Sequence, residues 1–515
     1  MPNTFFGLTI GASGLTASNA AINTVAHNIS NVNTKGYTRQ STVQEASFGI
    51  KVYKPYGAVG TGVTVTDIEQ ARSEYYDNRY RNNNTQCGQY ETLDTYSNLV
   101  QSYLDEFNTE GFITEYNNLF KTINSMCGDP SSEVKRGQFL SYMSSICEYF
   151  NTLSTNLQNT QNDINEEIKS SVSTINTIAE QIASLNKQIN TIEATGGTAN
   201  DLRDSRNLLV DELSYYVDVN VQERSIGNGL SEYTLMINGQ ALVESYSYNT
   251  LVCVPRETSG KRNASDAEGL CDLKWNNGNP YNPYDESGKG SLKGLFDMRD
   301  GCNDAYERVS TDPNNGNQYL EIVADSYRNP SYKGIPYYQS QLNKFVTTLA
   351  EEFNSIITNG QLKDGTACTS SLLVSKYDAN SYVTAANISV NQDMLNDLSQ
   401  LPVSYDVSRG EENPDMVNDL YALKEKVTIK SGTFWDFLSS IVSEIGVDTM
   451  RAETFNSNYN NIKGAVETQR TSVSGVDEDE EGIDLVKFQH AYDLSSKIIS
   501  IMNQIYSKLI EETGL

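Results

Sequence analysis

Histidine, tryptophan and basic residues are scarce in this chain, and each shortage removes a class of function. The 515 residues hold two histidines, His27 and His490, and two tryptophans. Neither histidine lies in a His-Glu-x-x-His pair or beside a cysteine at ligand spacing, so both read as polar residues on helix faces, and no metal site or cofactor is expected. No Gly-x-Ser-x-Gly or other nucleophile motif is present, so catalysis has little to build on. Lys and Arg number 38 against 66 Asp and Glu, a net charge of −28. Such a surface repels phosphate backbones and disfavours nucleic acid. No apolar run is long enough to span a bilayer, so no membrane insertion is expected. Residues 1–6 show no basic region, long apolar segment or Ala-x-Ala site, and no cleaved signal peptide is expected. The cysteines, Cys87, Cys127, Cys147, Cys253, Cys271, Cys302 and Cys368, are odd in number and scattered. They read as small buried residues, not as a disulfide framework.

What the chain does have is concentrated at its two ends. Leu8, Leu15, Ile22 and Ile29 recur every seven residues, and Gly11, Ser18, Val25 and Val32 form a second row. At the far end Leu494, Ile498, Ile501 and Ile505 are spaced 4-3-4, flanked by Phe488, Tyr492, Ile499, Met502, Tyr506 and Leu509. These spacings put each set on one face of an α-helix. Each helix needs a cover for its stripe: the other terminus, or the same segments in neighbouring copies. Gly7, Gly11 and Gly14 weaken the first helix by roughly 1 kcal/mol each relative to Ala, which predicts a segment helical only when packed.

Between the ends, residues 38–67 alternate and read as an extended arm or hairpin. The glycines from Gly57 to Gly62 read as a turn, since no Gly-Lys-Ser/Thr ending follows. A polar helix is expected from Asp67 to about Asn124. A very long one follows to Ile192, with rows Ile168, Ile175, Ile182, Ile189 and Ile178, Leu185, Ile192, and its partner starts near Asn200. Period two takes over from Tyr215 to about Leu295, with a hairpin turn at Asn238-Gly239; residues 255–290 read as loops. Helices are expected again over 336–359, near 414 and across Phe434–Arg470, with short strands between 360 and 405. Asp477 to Gly482 mimics a calcium loop, but Phe488 stands where the bidentate Glu belongs. The five carboxylates read instead as complements to a helix dipole, with Ser474 as cap.

The first helix ends in Ala26-His27-Asn28-Ile29-Ser30-Asn31-Val32-Asn33-Thr34-Lys35-Gly36-Tyr37-Thr38-Arg39-Gln40. This resembles the N-terminal signature of bacterial flagellar axial proteins, the family of rod, hook and hook-associated subunits. Ser474-Gly475-Val476-Asp477, with Asp484 through Tyr492, is similar to that family's C-terminal segment. The signature residues are Asn28, Asn31, Asn33, Thr34, Gly36, Tyr37, Ser474, Gly475 and Val476. The resemblance implies a non-enzymatic structural protein that leaves the cell through the flagellar channel without cleavage and joins hook to filament outside it. It implies self-assembly in a ring or helix, contact with the hook protein and a second junction protein, and an export chaperone on the C-terminal helix. The expected assembly interface is Leu8, Leu15, Ile22, Val25, Ile29, Val32, Phe488, Tyr492, Leu494, Ile498, Ile501, Ile505 and Leu509. The fold expected is mainly α with inserted β, multidomain: an elongated bundle of long helices whose terminal helices pair like a coiled coil. Residues 1–45 with 476–515 form the terminal domain, 46–359 with 406–475 a long-helix domain with a β-rich insertion at about 215–300, and 360–405 a small outer lobe. The alternatives are another axial protein, hook or distal rod, a surface adhesin or enzyme carried on the outer lobes, and a cytoplasmic coiled-coil scaffold.

Overall fold

A computed structural model describes residues 6–51, 58–105, 110–227, 229–256, 261–285, 288–313, 318–324, 331–377, 381–410, 413–429 and 432–513. The expected helix start near Thr4 and the first turn glycine, Gly57, lie outside these residues. In chain order the helices are α1 (Phe6–Ser30), α2 (Glu74–Leu104), α3 (Glu110–Cys127), α4 (Glu133–Glu193), α5 (Asn200–Tyr216), α6 (Ser291–Asp300), α7 (Ile335–Ile357), α8 (Gln392–Asn396), α9 (Asp415–Ala422), α10 (Phe434–Ser474) and α11 (Glu478–Thr513). The strands are β1 (Gln40–Ala46), β2 (Ile50–Lys51), β3 (Ala58–Val59), β4 (Val63–Gln70), β5 (Val219–Gly227), β6 (Leu230–Ile237), β7 (Gln240–Glu244), β8 (Ser247–Tyr248), β9 (Leu251–Pro255), β10 (Cys271–Trp275), β11 (Ala305–Thr311), β12 (Gln318–Ala324), β13 (Leu373–Ser375) and β14 (Ile388–Val390). The fold is mainly helical with small antiparallel sheets, and its two terminal helices pack together. Two compact units share the chain: residues 1–85, 174–250 and 459–515 in the first, 86–173 and 251–458 in the second.

In the first unit β1 and β4 form the predicted arm, paired from Gln40↔Gln70 to Ala46↔Val63. β4 runs on to Gln70, so the polar helix begins at Glu74, later than the pattern suggested. The β5-β6-β7-β8 sheet is antiparallel throughout, and Tyr233, Leu235 and Ile237 of β6 are buried at period two. Asn238 (φ 45°) and Gly239 (φ 74°) close the predicted hairpin in the turn type that matches strand twist.

The row Ile168, Ile175, Ile182, Ile189 of α4 is buried, but the second row is lost toward the helix end, where Ile192 is exposed. Asn186, Asn190 and Glu193 are buried instead. Asn190 pairs like a strand residue, its Nδ2 donating to the Ser231 carbonyl (2.9 Å) and its Oδ1 accepting from the Ser231 N–H (3.0 Å). Asn186 donates to the Ser245 carbonyl (2.9 Å). Satisfied amides of this kind fix which face of α4 meets the sheet.

In the second unit an aromatic core joins helices distant in sequence: Phe150 meets Phe112 and Phe345, and Phe345 meets Phe434. Residues 271–275, expected as loop, form β10 against β9, and β11–β12 is a hairpin that the pattern reading missed. Buried Asp266 accepts hydrogen bonds from Gln161 Nε2 and the Asn263 N–H, both at 3.0 Å. Burial, followed by the nearby Asp300 charge, pushes its carboxyl up to about 6. A carboxyl raised on folding adds stability that is complete below about pH 4 and lost as pH rises through about 6. Asp266→Asn is therefore expected to lessen the fall in stability between pH 4.5 and 7.5, by on the order of 1–3 kcal/mol. Trp275 and Trp435 both lie in this unit, so urea titrations followed by tryptophan fluorescence read it directly. Equal pH slopes for variant and wild type would refute the assignment.

Candidate functional site

The helices α1 and α11 pack along a row of small residues. A Cβ on Gly11 would lie 2.9 Å from Ile499 Cγ1 and 3.3 Å from Ile498 Cγ2. One on Gly14 would lie 2.8 Å from Ser495 Oγ, and one on Gly7 would overlap Met502 Cε. Gly11, Ala17, Ser18, Ala21, Thr24, Val25 and Asn28 are the buried residues of α1. The glycines that weaken an isolated helix thus let α11 approach closely. Leu8, Leu15, Ile22, Ile29 and Val32 are only half-buried, so the small row, not the large one, carries the pairing.

On α11 the seam toward α1 includes Ser495, Ile499 and Met502, with Tyr506 buried and Phe488 and Tyr492 half-buried. The row Leu494, Ile498, Ile501, Ile505 and Leu509 remains exposed, at 61, 45, 54, 47 and 38%. Ile498 flanks the seam, as its approach to Gly11 shows. Several large apolar side chains aligned on one helix face are more than the scattered apolar residues of an ordinary surface.

Beyond the seam a polar clasp fixes where the chain leaves α1 and enters α11. Gly36 (φ 82°) turns the chain in the left-handed region after α1. That turn brings the following residues back to Asn28. Asn28 Oδ1 accepts from Tyr37 OH (2.7 Å) and the Gln40 N–H (3.0 Å), while its Nδ2 donates to the Gln40 carbonyl (2.8 Å) and Glu481 Oε2 (3.0 Å). Asn28 and Glu481 are each 1% exposed. Arg39 Nε donates to Glu481 Oε1 (2.6 Å), its Nη1 to Glu480 (3.0 Å), and its backbone N–H to the Ser474 carbonyl (2.9 Å). Although burial opposes it, the bond to Glu481 raises the Arg39 guanidinium above its ordinary value and keeps it charged. Tyr37 is also raised, first by burial and then by Asp201, Asp204 and Glu481, so its hydroxyl stays a donor.

The remaining signature residues shape the two joints. Asn31 Nδ2 donates to the His27 carbonyl (3.0 Å) and accepts at Oδ1 from Thr34 (3.1 Å), with exposed Asn33 between. Gly475 N–H bonds the Thr471 carbonyl (2.7 Å) where α10 ends, and half-buried Val476 leads into α11. Ser474 does not cap α11: its hydroxyl turns back to the Arg470 carbonyl (2.9 Å). Asp477 is the cap, accepting from the N–H groups of Asp479 (2.9 Å) and Glu480 (3.2 Å).

Behind the clasp runs an alternating ionic chain within the same unit. Thr38 donates through N–H and Oγ1 to Asp204 (2.9 and 2.7 Å), and Arg72 joins Asp204 to Asp77. Arg470 joins Asp77 to Asp211, which also holds Arg81. Thr38 lies in the signature stretch, but Asp204, Arg72 and Arg470 escaped sequence reasoning, because nothing in their local spacing connects them.

Residues 97–370, more than half of the chain, match the family described as Flagellar hook-associated protein FlgK helical domain. The chain belongs to the FlgK hook-associated family. Residues 8–38, which hold α1 from Leu8 onward and the Asn28–Tyr37 half of the clasp, match a second description, Flagella basal body rod protein. Flagellar hook-associated protein 1 of Bacillus subtilis strain 168 is 26% identical, with 100% of this chain and 99% of that protein aligned. The protein of the same name from Escherichia coli K12 is 25% identical, at 97% and 98% coverage. The solved hook junction protein FlgK from Burkholderia pseudomallei shares the fold, with a TM-score of 0.59 at 13% identity, covering 77% of this chain and 100% of that one. As a FlgK-family chain it is a structural component of the flagellum, not an enzyme, and it assembles with other flagellar components. Among the described residues no helix is long and apolar enough to cross a membrane.

Proposed function

We propose that this chain is the adapter joining hook to filament, self-assembling through its paired terminal helices. The exposed row Leu494, Ile498, Ile501, Ile505 and Leu509, on a helix already paired along another face, is the observation that carries the reading. Neighbouring copies covering that row and the half-buried Leu8, Leu15, Ile22, Ile29 and Val32 would gain roughly 1.5–3 kcal/mol per fully buried large side chain. That gain offsets the entropy of ordering the contact. The hook protein lies on one side of the assembled ring or helix and a second junction protein on the other. Export runs through the flagellar channel without cleavage, with an export chaperone covering the C-terminal helix beforehand, and the protein ends outside the cell. The three domains read from the sequence fit this reading, with residues 360–405 as the outer lobe. The signature set Asn28, Asn31, Asn33, Thr34, Gly36, Tyr37, Ser474, Gly475 and Val476 serves to hold the interface helices in register.

Deleting the gene in its source organism is expected to leave complete hooks without filaments and to release flagellin into the medium. The triple variant Leu494→Asp, Ile501→Asp, Ile505→Asp is expected to reproduce that phenotype while the purified protein keeps the wild-type circular dichroism. Missing hooks in the deletion strain would move the chain to the rod or hook class, the reading that the match over residues 8–38 favours next. Normal filaments on the triple variant would remove the exposed row from the interface.

A further inference from the structure

Two of the seven cysteines lie side by side in the second unit. In the β9–β10 pair Cys253 stands opposite Leu273. Cys271, two residues along the same strand, therefore shares a face with Cys253. The two are diagonal neighbours, a placement whose Cβ separation is somewhat less than about 7–8 Å. Each thiol is the first influence on the other's ionisation, with Cys253 in the donor role. Cys271 is fully buried, and its Sγ also lies 3.8 Å from Nη1 of buried Arg299. Cys253 is half-buried and is the member a small reagent can reach. Among the described residues no group of three His, Cys, Asp or Glu side chains is placed to hold a metal ion.

The charge distribution gives the two thiols different roles. The hydrogen bond from Cys253, with the Arg299 guanidinium and Lys169 behind it, holds the Cys271 thiol below its ordinary value despite burial. The same bond and burial push Cys253 up. The reachable sulfur thus holds its proton more tightly, and the thiolate form is favoured at the sheltered sulfur beside Arg299.

We propose that Cys253 and Cys271 are a reversible disulfide site, oxidised by exchange with a low-molecular-weight disulfide. Cys253 Sγ attacks one sulfur of that reagent as its proton passes to Cys271 Sγ. The reagent's S–S bond breaks, one thiolate leaves, and a mixed disulfide remains on Cys253. Cys271 then releases the proton to water and attacks Cys253 Sγ, and the second reagent thiolate leaves. Two protein thiols and one reagent disulfide become one protein disulfide and two reagent thiols, so two electrons pass to the reagent. Because a disulfide needs Cβ atoms about 3.5–4.5 Å apart, closure draws the diagonal pair together and yields a bond that a thiol buffer can reopen. The inference stands apart from the assembly reading, since neither strand belongs to the terminal helices.

The full chain is incubated in oxidised glutathione, acid-quenched and alkylated in denaturant, and its intact mass is measured. Two fewer alkyl groups than the seven cysteines of the reduced protein are expected, with all seven restored by dithiothreitol. Trypsin cuts at Arg256, Lys261 and Arg262 between the two cysteines, so the bridge appears as a Cys253 peptide joined to a Cys271 peptide. Trp275, in β10, is expected to change its fluorescence on oxidation while the protein stays folded. The variant Cys253→Ser is expected to take up no glutathione at Cys271. Seven alkylated cysteines in oxidised wild type, a glutathione adduct that persists on Cys253, or a bridge to any other cysteine would each overturn the proposal. None of these results depends on a variant folding.

Discussion

Asn28→Ala is expected to cost the first unit about 3–5 kcal/mol, because one side chain satisfies four partners that have no substitute. Its removal leaves the Gln40 N–H and carbonyl, Tyr37 OH and Glu481 Oε2 each short of a bond, in a place where Asn28 and Glu481 are almost wholly buried. A loss of that size is comparable to the whole stability of a marginal domain, about 5–15 kcal/mol. Both tryptophans lie in the second unit, so their unfolding transition is expected to be unchanged while hydrogen exchange across α1, β1 and the start of α11 speeds up. Asn28→Asp separates shape from charge. It keeps the size and the Oδ1 acceptor but faces Glu481 with a second carboxylate, so it is expected to be nearly as damaging at pH 7 and to recover as pH falls and the pair shares a proton. If Asn28→Asp is instead as stable as wild type at pH 7, neither bond given by Nδ2, to Glu481 or to the Gln40 carbonyl, contributes much, and the clasp rests on the Oδ1 acceptor.

The clasp also shows what the sequence made legible and what it did not. The helices were readable because spacings of three, four and seven are local, and α1, α4, α7, α10 and α11 lie where those spacings placed them. The Asn238-Gly239 turn was readable because its chemistry lies in two adjacent residues. Contacts that join distant residues left no local mark. Five carboxylates follow Gly475, and nothing in their order says that Glu481 alone is buried against Asn28 while Glu480 stays exposed on Arg39. Nothing local to Asn190 marks it as buried, and only the position of Ser231 gives it two hydrogen bonds. β10 was hidden for a different reason: its Lys and Asp alternate outward while Cys271, Leu273 and Trp275 point inward, within a stretch dominated by turn residues. On α11 the pattern showed a wide apolar stripe but could not divide it into a seam and an exposed row. That division depends on how closely α1 approaches.

The closeness itself can be tested. Gly11→Leu is expected to destabilise the α1–α11 pair by about 3 kcal/mol, the upper part of the usual range for overpacking. The first carbon of the new side chain already falls 2.9 Å from Ile499 Cγ1, and the backbone N of Ile499 lies 3.6 Å away, so the bulk beyond it has no room to turn. Gly7→Ala overlaps the terminal methyl of Met502 and comes within 3.0 Å of its Sδ and 3.4 Å of its Cγ, but that flexible side chain can swing aside through three rotatable bonds. There the helix-propensity gain of up to about 1 kcal/mol is expected to survive. Gly11→Ala makes the same propensity gain yet presses on a branched side chain held at its base, so it is expected to fall between the two. Urea unfolding by circular dichroism, with hydrogen exchange on α1 and α11, ranks the three variants. The predicted order of stability is Gly7→Ala, then Gly11→Ala, then Gly11→Leu. An order set by helix propensity alone would place Gly11→Leu above wild type, since leucine is a far better helix former than glycine. That outcome would mean that α1 and α11 do not need to touch this closely, and the small-residue row would lose its role in holding Ile499 inward and leaving Ile501 and Ile505 outward.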